Sequence, residues 1–321
     1  MLVNGQWTSD WHPSQSEDSD GRFERQPSTF RHWVTPNGDA GPDGAHGFKA
    51  EAGRYHLYVA LTCPWASRAL MVRKLKRLDE VLSVSVVDPR LTNRGWRFGG
   101  YPGAEADPYS DSNHLHEIYT RANPNYTGRV TVPVLWDRQH KTIVNNESAD
   151  IVRILNGAFD AFADTSVDLY PEALRSEIDE VDEQLYDGLN NGVYRAGFAS
   201  TQEAYNEAVI GVFETLDSME TRLADDRRFL FGEHLTESDV RLFVTLVRFD
   251  AAYHGLFKCN IRQLADYKYL TAYAHRILDL PGIAETVNMD HIKAGYYSIA
   301  ALNPNGIVPI GPLPGITATR H

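Results

Sequence analysis

The sequence predicts a small α/β domain followed by an all-helical domain, and three observations carry that expectation. Between residues 54 and 87 a β-rich run, a helix opening on proline and a second apolar run follow in order. Two more β-rich runs and a further helix start are complete by residue 155. From about residue 170 the apolar residues recur at helical spacing. At 321 residues the chain is long for one core and sufficient for two.

Residues 1–50 are polar and rich in Gly, Pro, Ser and Asp, with rings at Trp7, Trp11, Phe23, Phe30 and Trp33. They read as an extended arm pinned by those rings, since disordered tracts are poor in aromatics. A domain over 51–160 opens with the run Arg54 to Leu61. Pro64 then suits the first turn of a helix. Ala66 to Leu78 carries Ala69, Leu70, Val72, Leu75 and Leu78 at helical spacing, and Val81 to Val87 reads as a buried strand. Strand, helix, strand implies parallel pairing. Residues 88–113 form a long glycine- and proline-bearing insertion, a length that usually serves function. A short helix follows at about 114–122. Arg129 to Trp136 and Lys141 to Asn145 read as a hairpin, and a helix begins at Glu147-Ser148. This order is that of a thioredoxin-like domain.

The second domain, 170–321 with its C-terminal tail, is expected to be helical. Helical periodicity covers Pro171 to Asn191 and Thr201 to Ala224. Thr236-Glu237-Ser238-Asp239 reads as a capping box. The helix it opens is mostly buried, and another spans about 266–279 before Pro281-Gly282. The acid-rich stretch 177–187 reads as a solvated face.

Composition excludes several classes. With 42% hydrophobic and 23% charged residues the chain is globular. Its apolar runs are too short to span a bilayer. Met1 to Trp7 lack a basic and then an apolar region, so no signal peptide is expected and the cytoplasm is the default location. A net charge of −12 disfavours nucleic acid and acidic membranes. The two cysteines, Cys63 and Cys259, are too few for a disulfide scaffold or a cysteine-rich zinc site.

Cys63 carries the chemistry. Only a thiolate attacks sulfur, and a helix N-terminus favours the thiolate through its unpaired amides and dipole. Cys63 stands at such a point, after a strand and before Pro64, with Trp65 and Ala66 where a second cysteine would close a local disulfide. It would form a mixed disulfide that an outside thiol resolves. The plain alternative is a buried, inert cysteine, the reading given to Cys259. Pro133 lies in an apparent sheet strand, where proline is normally excluded. A cis Val132–Pro133 bond would turn the Val132 backbone toward a ligand, whereas an edge strand would accept a trans proline. Glu147 and Ser148, opening a helix, suit the ammonium and carboxylate of a γ-glutamyl group. They equally suit a cap in which Asn146 or Ser148 serves its own backbone.

The segment 55–66, Tyr-His-Leu-Tyr-Val-Ala-Leu-Thr-Cys-Pro-Trp-Ala, resembles the active-site segment of glutathionyl-hydroquinone reductases, the Xi class of glutathione transferases. The resemblance extends through 128–136 (GRVTVPVLW), 145–149 (NNESA), 190–198 (NNGVYRAGF), 246–250 (LVRFD) and 281–292 (PGIAETVNMDHI), nearly the whole chain. It implies the glutathione transferase architecture, a homodimer, and quinone detoxification. The implied reaction converts a glutathionyl-hydroquinone and glutathione, the co-substrate, to hydroquinone and glutathione disulfide. It implies Cys63 as nucleophile, with Trp96, Val132, Glu147 and Ser148 holding glutathione. Tyr194, Tyr253 and Tyr296 would line the aromatic substrate pocket, although Gly295-Tyr296-Tyr297 offers two candidates and Ala294-Gly295 departs from the bulkier residues expected there. A broader omega-like thioltransferase that reduces mixed disulfides or dehydroascorbate, and a noncatalytic ligand-binding module on this fold, are the competing readings. No metal is expected: His114-x-His116 is too closely spaced for two ligands on one helix face, and nothing nearby is expected to complete a metal site.

Overall fold

The structure, a computed structural model, describes residues 1–9 and 17–311. Trp11 of the arm and the end of the C-terminal tail lie outside the described residues. Two compact units are present. One contains residues 1–9 and 26–167; the other contains 17–25 and 168–311. The first fifty residues thus contribute to both.

In the first unit, β1 (Leu2–Val3) and β2 (Gln6–Trp7) form a short hairpin. The arm also supplies a two-stranded parallel pair, β3 (Trp33–Thr35) and β4 (Gly47–Lys49). The main sheet begins with β5 (Tyr55–Val59), all five residues of which are buried. Helix α1 (Pro64–Leu75) crosses to β6 (Ser83–Val86), which pairs parallel with β5. After α2 (Leu115–Ala122), β7 (Val134–Asp137) runs antiparallel to both β5 and β8 (Thr142–Asn145). The sheet order is β6-β5-β7-β8, and α3 (Ser148–Gly157) packs with α1. One expectation needs trimming. The strand foreseen from Arg129 begins only at Val134, because Tyr119 Oη engages the backbone of Thr131 as donor to its carbonyl, 2.8 Å, and acceptor from its amide, 3.2 Å.

The second unit is helical: α4 (Arg175–Gln184), α5 (Gly192–Phe198), α6 (Gln202–Arg222), α7 (Glu237–Arg248), α8 (Lys268–Leu278) and α9 (Met289–Tyr296). The single helix expected over 171–191 is instead a 3-10 turn at Glu172–Leu174, α4, and a π-helical turn at Leu185–Asn190. A second π-helical turn, Phe249–Tyr253, follows α7. The capping box at Thr236 is present, its amide donating to Asp239 Oδ2 at 2.8 Å, and every residue of α7 is buried. The acid-rich face of α4 is not wholly solvated. Asp182 turns inward, 5% exposed, to pair with Arg241 Nε at 2.8 Å and accept a bond from Ser238 Oγ at 2.7 Å.

Candidate active site

Six of the singled-out residues, Cys63, Trp96, Val132, Pro133, Glu147 and Ser148, lie in the first unit. Cys63 is the N-cap of α1, in extended conformation, with Pro64 as the first helical residue. The Ser67 amide and hydroxyl both donate to the Cys63 carbonyl, at 3.0 and 3.1 Å, so the first turn closes on the cysteine backbone. The thiol is half-buried and lies 3.6 Å from the Val132 carbonyl oxygen. The Val132–Pro133 bond is cis. Tyr119, buried between these parts, accepts from Asn146 Nδ2 at 3.1 Å while holding Thr131. The loop before Pro133 and the residue before Glu147 are therefore tied through one phenol, whose pKa burial pushes up to about 12.

Glu147 is itself the N-cap of α3, its Oε1 accepting from the Ala149 amide at 3.3 Å and from Ser148 Oγ at 3.4 Å. The plainer cap reading thus falls to Glu147, and to neither Asn146 nor Ser148. Asn146 instead accepts the Phe30 amide at 3.1 Å, docking the arm. Ser28, which no sequence signal singles out, donates to Glu147 Oε2 at 2.9 Å. Trp96 is half-buried, and its carbonyl accepts the Leu115 amide at 2.9 Å. Its segment is braced by Asp88, fully buried, which receives Arg90 Nη2 and Arg97 Nη2, each at 2.9 Å.

The three tyrosines meet in the second unit. Tyr296 Oη lies 2.7 Å from Tyr194 Oη and 2.6 Å from Tyr253 Oη, with the Tyr253 and Tyr296 rings edge to face at 5.3 Å. Of the two candidates in Gly295-Tyr296-Tyr297, Tyr296 is thus the one whose hydroxyl joins the cluster. Burial, reinforced by the neighbouring Tyr194 hydroxyl, raises the Tyr253 and Tyr296 phenols well above their ordinary value. Both are neutral hydrogen-bonding groups throughout the physiological range. Arg25 joins them, its guanidinium 4.8 Å from the centroid of the Tyr194 ring and its Nε donating to Asn191 Oδ1 at 2.8 Å.

Cys259 has a different setting. It is fully buried, and desolvation pushes its thiol up to about 12. Among the described residues one group of potential metal ligands assembles, His114, His116 and Glu117, with ligand atoms within 4.8 Å of one another. Glu117 thus supplies a nearby third group where none was expected. The two imidazoles stack at 5.2 Å and 24°, which keeps their in-plane lone pairs in separate, near-parallel planes. Glu117 accepts the amides of Asn113 and His114, at 3.3 and 3.2 Å. Glu117 thereby serves the start of α2. Among the described residues no helix is long and apolar enough to cross a membrane.

Two family models match the chain: the glutathione S-transferase N-terminal domain over residues 62–158 and the C-terminal domain over 202–276. Glutathionyl-hydroquinone reductase YqjG of Escherichia coli strain K12 is 50% identical over 314 residues, 97% of this chain and 95% of that protein. Its glutathione-bound structure overlays with a TM-score of 0.88 at 48% identity, covering 97% of this chain and 95% of that one. Glutathionyl-hydroquinone reductase PcpF of Sphingobium chlorophenolicum is 48% identical over 99% of this chain and 98% of its own. The crystal structure of glutathione-S-transferase Xi from Phanerochaete chrysosporium gives a TM-score of 0.88 at 47% identity, covering 93% of this chain and 95% of that one.

Proposed function

This chain belongs to the glutathione transferase family, in its Xi class of glutathionyl-hydroquinone reductases, and from that premise we propose that it reduces glutathionyl-hydroquinones with glutathione. The observation that carries the chemistry is the half-buried Cys63 thiol at the N-cap of α1, where helix amides and dipole favour a thiolate.

The Cys63 thiolate attacks the sulfur that joins glutathione to the aromatic ring. A sulfur–sulfur bond forms, the sulfur–carbon pair stays with the ring carbon, and that carbon takes a proton as hydroquinone leaves. A second glutathione thiolate then attacks the glutathionyl sulfur, forming glutathione disulfide and returning Cys63 as thiolate. The ring gains two electrons; the two glutathione sulfurs supply them.

Val132 offers its backbone to glutathione, a role supported by the nearness of its carbonyl to the thiol. Glu147 takes the γ-glutamyl ammonium. A carboxylate has about four acceptor positions, enough for the Ala149 amide, the Ser148 and Ser28 hydroxyls, and the ammonium. Ser148 and the first amides of α3 take the γ-glutamyl carboxylate. Trp96 covers the bound tripeptide. Tyr194, Tyr253 and Tyr296 line the aromatic pocket, and a hydroxyl of their cluster donates to a ring oxygen and favours the keto tautomer, in which the sulfur–carbon bond is easier to break.

In this reading 51–160, with its insertion at 88–113, is the glutathione-binding domain, 170–321 the substrate domain, and 1–50 an arm. The working form is a cytoplasmic homodimer in quinone detoxification, requiring no metal and engaging neither nucleic acid nor membrane. The test is a single turnover without free glutathione, followed by intact mass. Release of hydroquinone with gain of one glutathionyl group on Cys63 supports the reading. Unmodified protein after exposure to a glutathionyl-hydroquinone contradicts it.

A further inference from the structure

Arg25 belongs to the N-terminal arm by sequence, yet the arm's segment 17–25 is built into the helical unit. The Ser200 amide donates to the Gly21 carbonyl at 3.1 Å, Thr201 Oγ1 donates to the Asp20 carbonyl at 2.9 Å, and Arg22 pairs with Glu207 at 2.9 Å. Phe23, 5% exposed, packs on Phe198 with ring centroids 5.4 Å apart. These contacts fix the segment and with it Arg25, a half-buried residue whose guanidinium lies over the ring of Tyr194, one member of the Tyr194–Tyr296–Tyr253 hydroxyl cluster. Asn191 Oδ1 sets its orientation.

The three phenols offer dipoles, and two of them are held neutral by burial. Arg248 is the cation whose charge acts on Tyr253 and Tyr296, but it is 1% exposed and donates to its own helix at the Val244 carbonyl, 2.7 Å. Arg25 is the more exposed residue of the two. In a chain of net charge −12, a positive group placed here gives an anionic ring a reason to bind that the bulk surface does not.

We infer that Arg25 is a specificity-determining residue of the aromatic site, selecting hydroquinones whose ring bears an anionic substituent such as a carboxylate. This rests on the reading that the tyrosine cluster receives the aromatic ring. A guanidinium matches a carboxylate in a way an ammonium does not, so Arg25→Lys retains only part of the selection.

The test is calorimetric binding of 2,5-dihydroxybenzoate and of hydroquinone to the full chain saturated with glutathione. Wild type is expected to bind the carboxylate at least about tenfold tighter, the scale of one charge-assisted hydrogen bond. Arg25→Gln brings that ratio to about one, and Arg25→Lys lies between. A wild-type ratio near one, no binding of either compound, or an undiminished ratio in Arg25→Gln overturns the inference. If Arg25→Gln does not fold, the wild-type and Arg25→Lys ratios still decide. A role confined to holding the arm lowers both affinities and leaves the ratio, which also overturns it. Turnover of a glutathionyl-hydroquinone, assayed separately, judges the reaction itself, so failure of one reading is not mistaken for failure of the other.

Discussion

A Cβ placed on Gly95 would stand 2.7 Å from Cη2 of Trp7, so the N-terminal hairpin lies directly against the segment that carries Trp96. Gly95 also has φ of +77°, a conformation that side chains resist. Trp7 stacks on His116 at 4.7 Å and donates its Nε1 hydrogen to the Asn93 carbonyl at 2.9 Å. The ring is a buttress for the Trp96 segment. Trp7→Ala is expected to raise KM for glutathione about threefold to tenfold, the effect of losing on the order of 1 kcal/mol of positioning. Steady-state kinetics checks this. An unchanged KM in a folded variant contradicts it.

The two thiols should separate cleanly. Cys259 is fully buried with its pKa pushed up to about 12, so it carries almost no thiolate between pH 7 and 9. Titration with an aromatic disulfide reagent is expected to find one reactive thiol per native chain, absent in Cys63→Ala. The second should appear only on unfolding. Rapid modification of Cys259 in the native protein contradicts the burial argument.

Tyr296 Oη lies within hydrogen-bond distance of both other phenols, 2.7 Å from Tyr194 Oη and 2.6 Å from Tyr253 Oη. Tyr296→Phe is therefore expected to lower kcat most of the three, by about a hundredfold, the scale for one donor lost from a charge-stabilising group. Tyr297→Phe should leave kcat nearly unchanged. Because the Tyr253 and Tyr296 phenols are raised well above the ordinary value, neither contributes an alkaline limb to the rate profile below pH 9. Equal kinetics for Tyr296→Phe and wild type removes the cluster from the mechanism.

Asp182 and Glu237 share the guanidinium of Arg241, at 2.8 and 3.3 Å. Burial first, and then the charge of Glu237, push the Asp182 carboxyl up to about 7, although Arg241 opposes the shift. The folded state thus holds a proton that the unfolded state releases near the ordinary carboxylate value of about 4. The stability this group contributes is fully present below that value and is lost as pH rises toward 7. Melting temperatures between pH 5 and 8 should therefore fall less steeply for Asp182→Asn, in which Glu237 still pairs with Arg241. Parallel slopes contradict the assignment.

Much of the fold was legible where local chemistry and tertiary packing agree. The strand into Cys63-Pro64, the capping box at Thr236 and the helix start at Glu147 each carry their own signal, and each element stands where its signal falls. Helices α5 and α9 were not foreseen. In α5, Gly192 and Gly197 look like helix breakers, but they are points of close approach. A Cβ on Gly197 would meet the Phe257 ring at 2.5 Å, and one on Gly192 would meet Val212 at 3.1 Å. Packing overrides propensity there. Helix α9 is eight residues with Gly295 near its end, too short for periodicity to declare. The π-helical turns break the helical register at 185–190 and 249–253, and the second of them presents Tyr253. At the candidate site, residues adjacent to a strand or helix start were visible. Ser28 and Arg25 were not, because nothing in sequence spacing joins an arm residue to partners more than a hundred positions away.

The central claim is that Cys63 is the nucleophile of a glutathione-dependent reduction of glutathionyl-hydroquinones. Its most direct test is hydroquinone release from a glutathionyl-hydroquinone in the presence of glutathione, comparing wild type with Cys63→Ala. The account predicts glutathione-dependent release by wild type and its loss, by at least about a thousandfold, in the variant, as expected when a covalent nucleophile is removed. No release by folded wild type, with mixed disulfides still reduced, would contradict the reaction; undiminished release by Cys63→Ala would contradict the nucleophile.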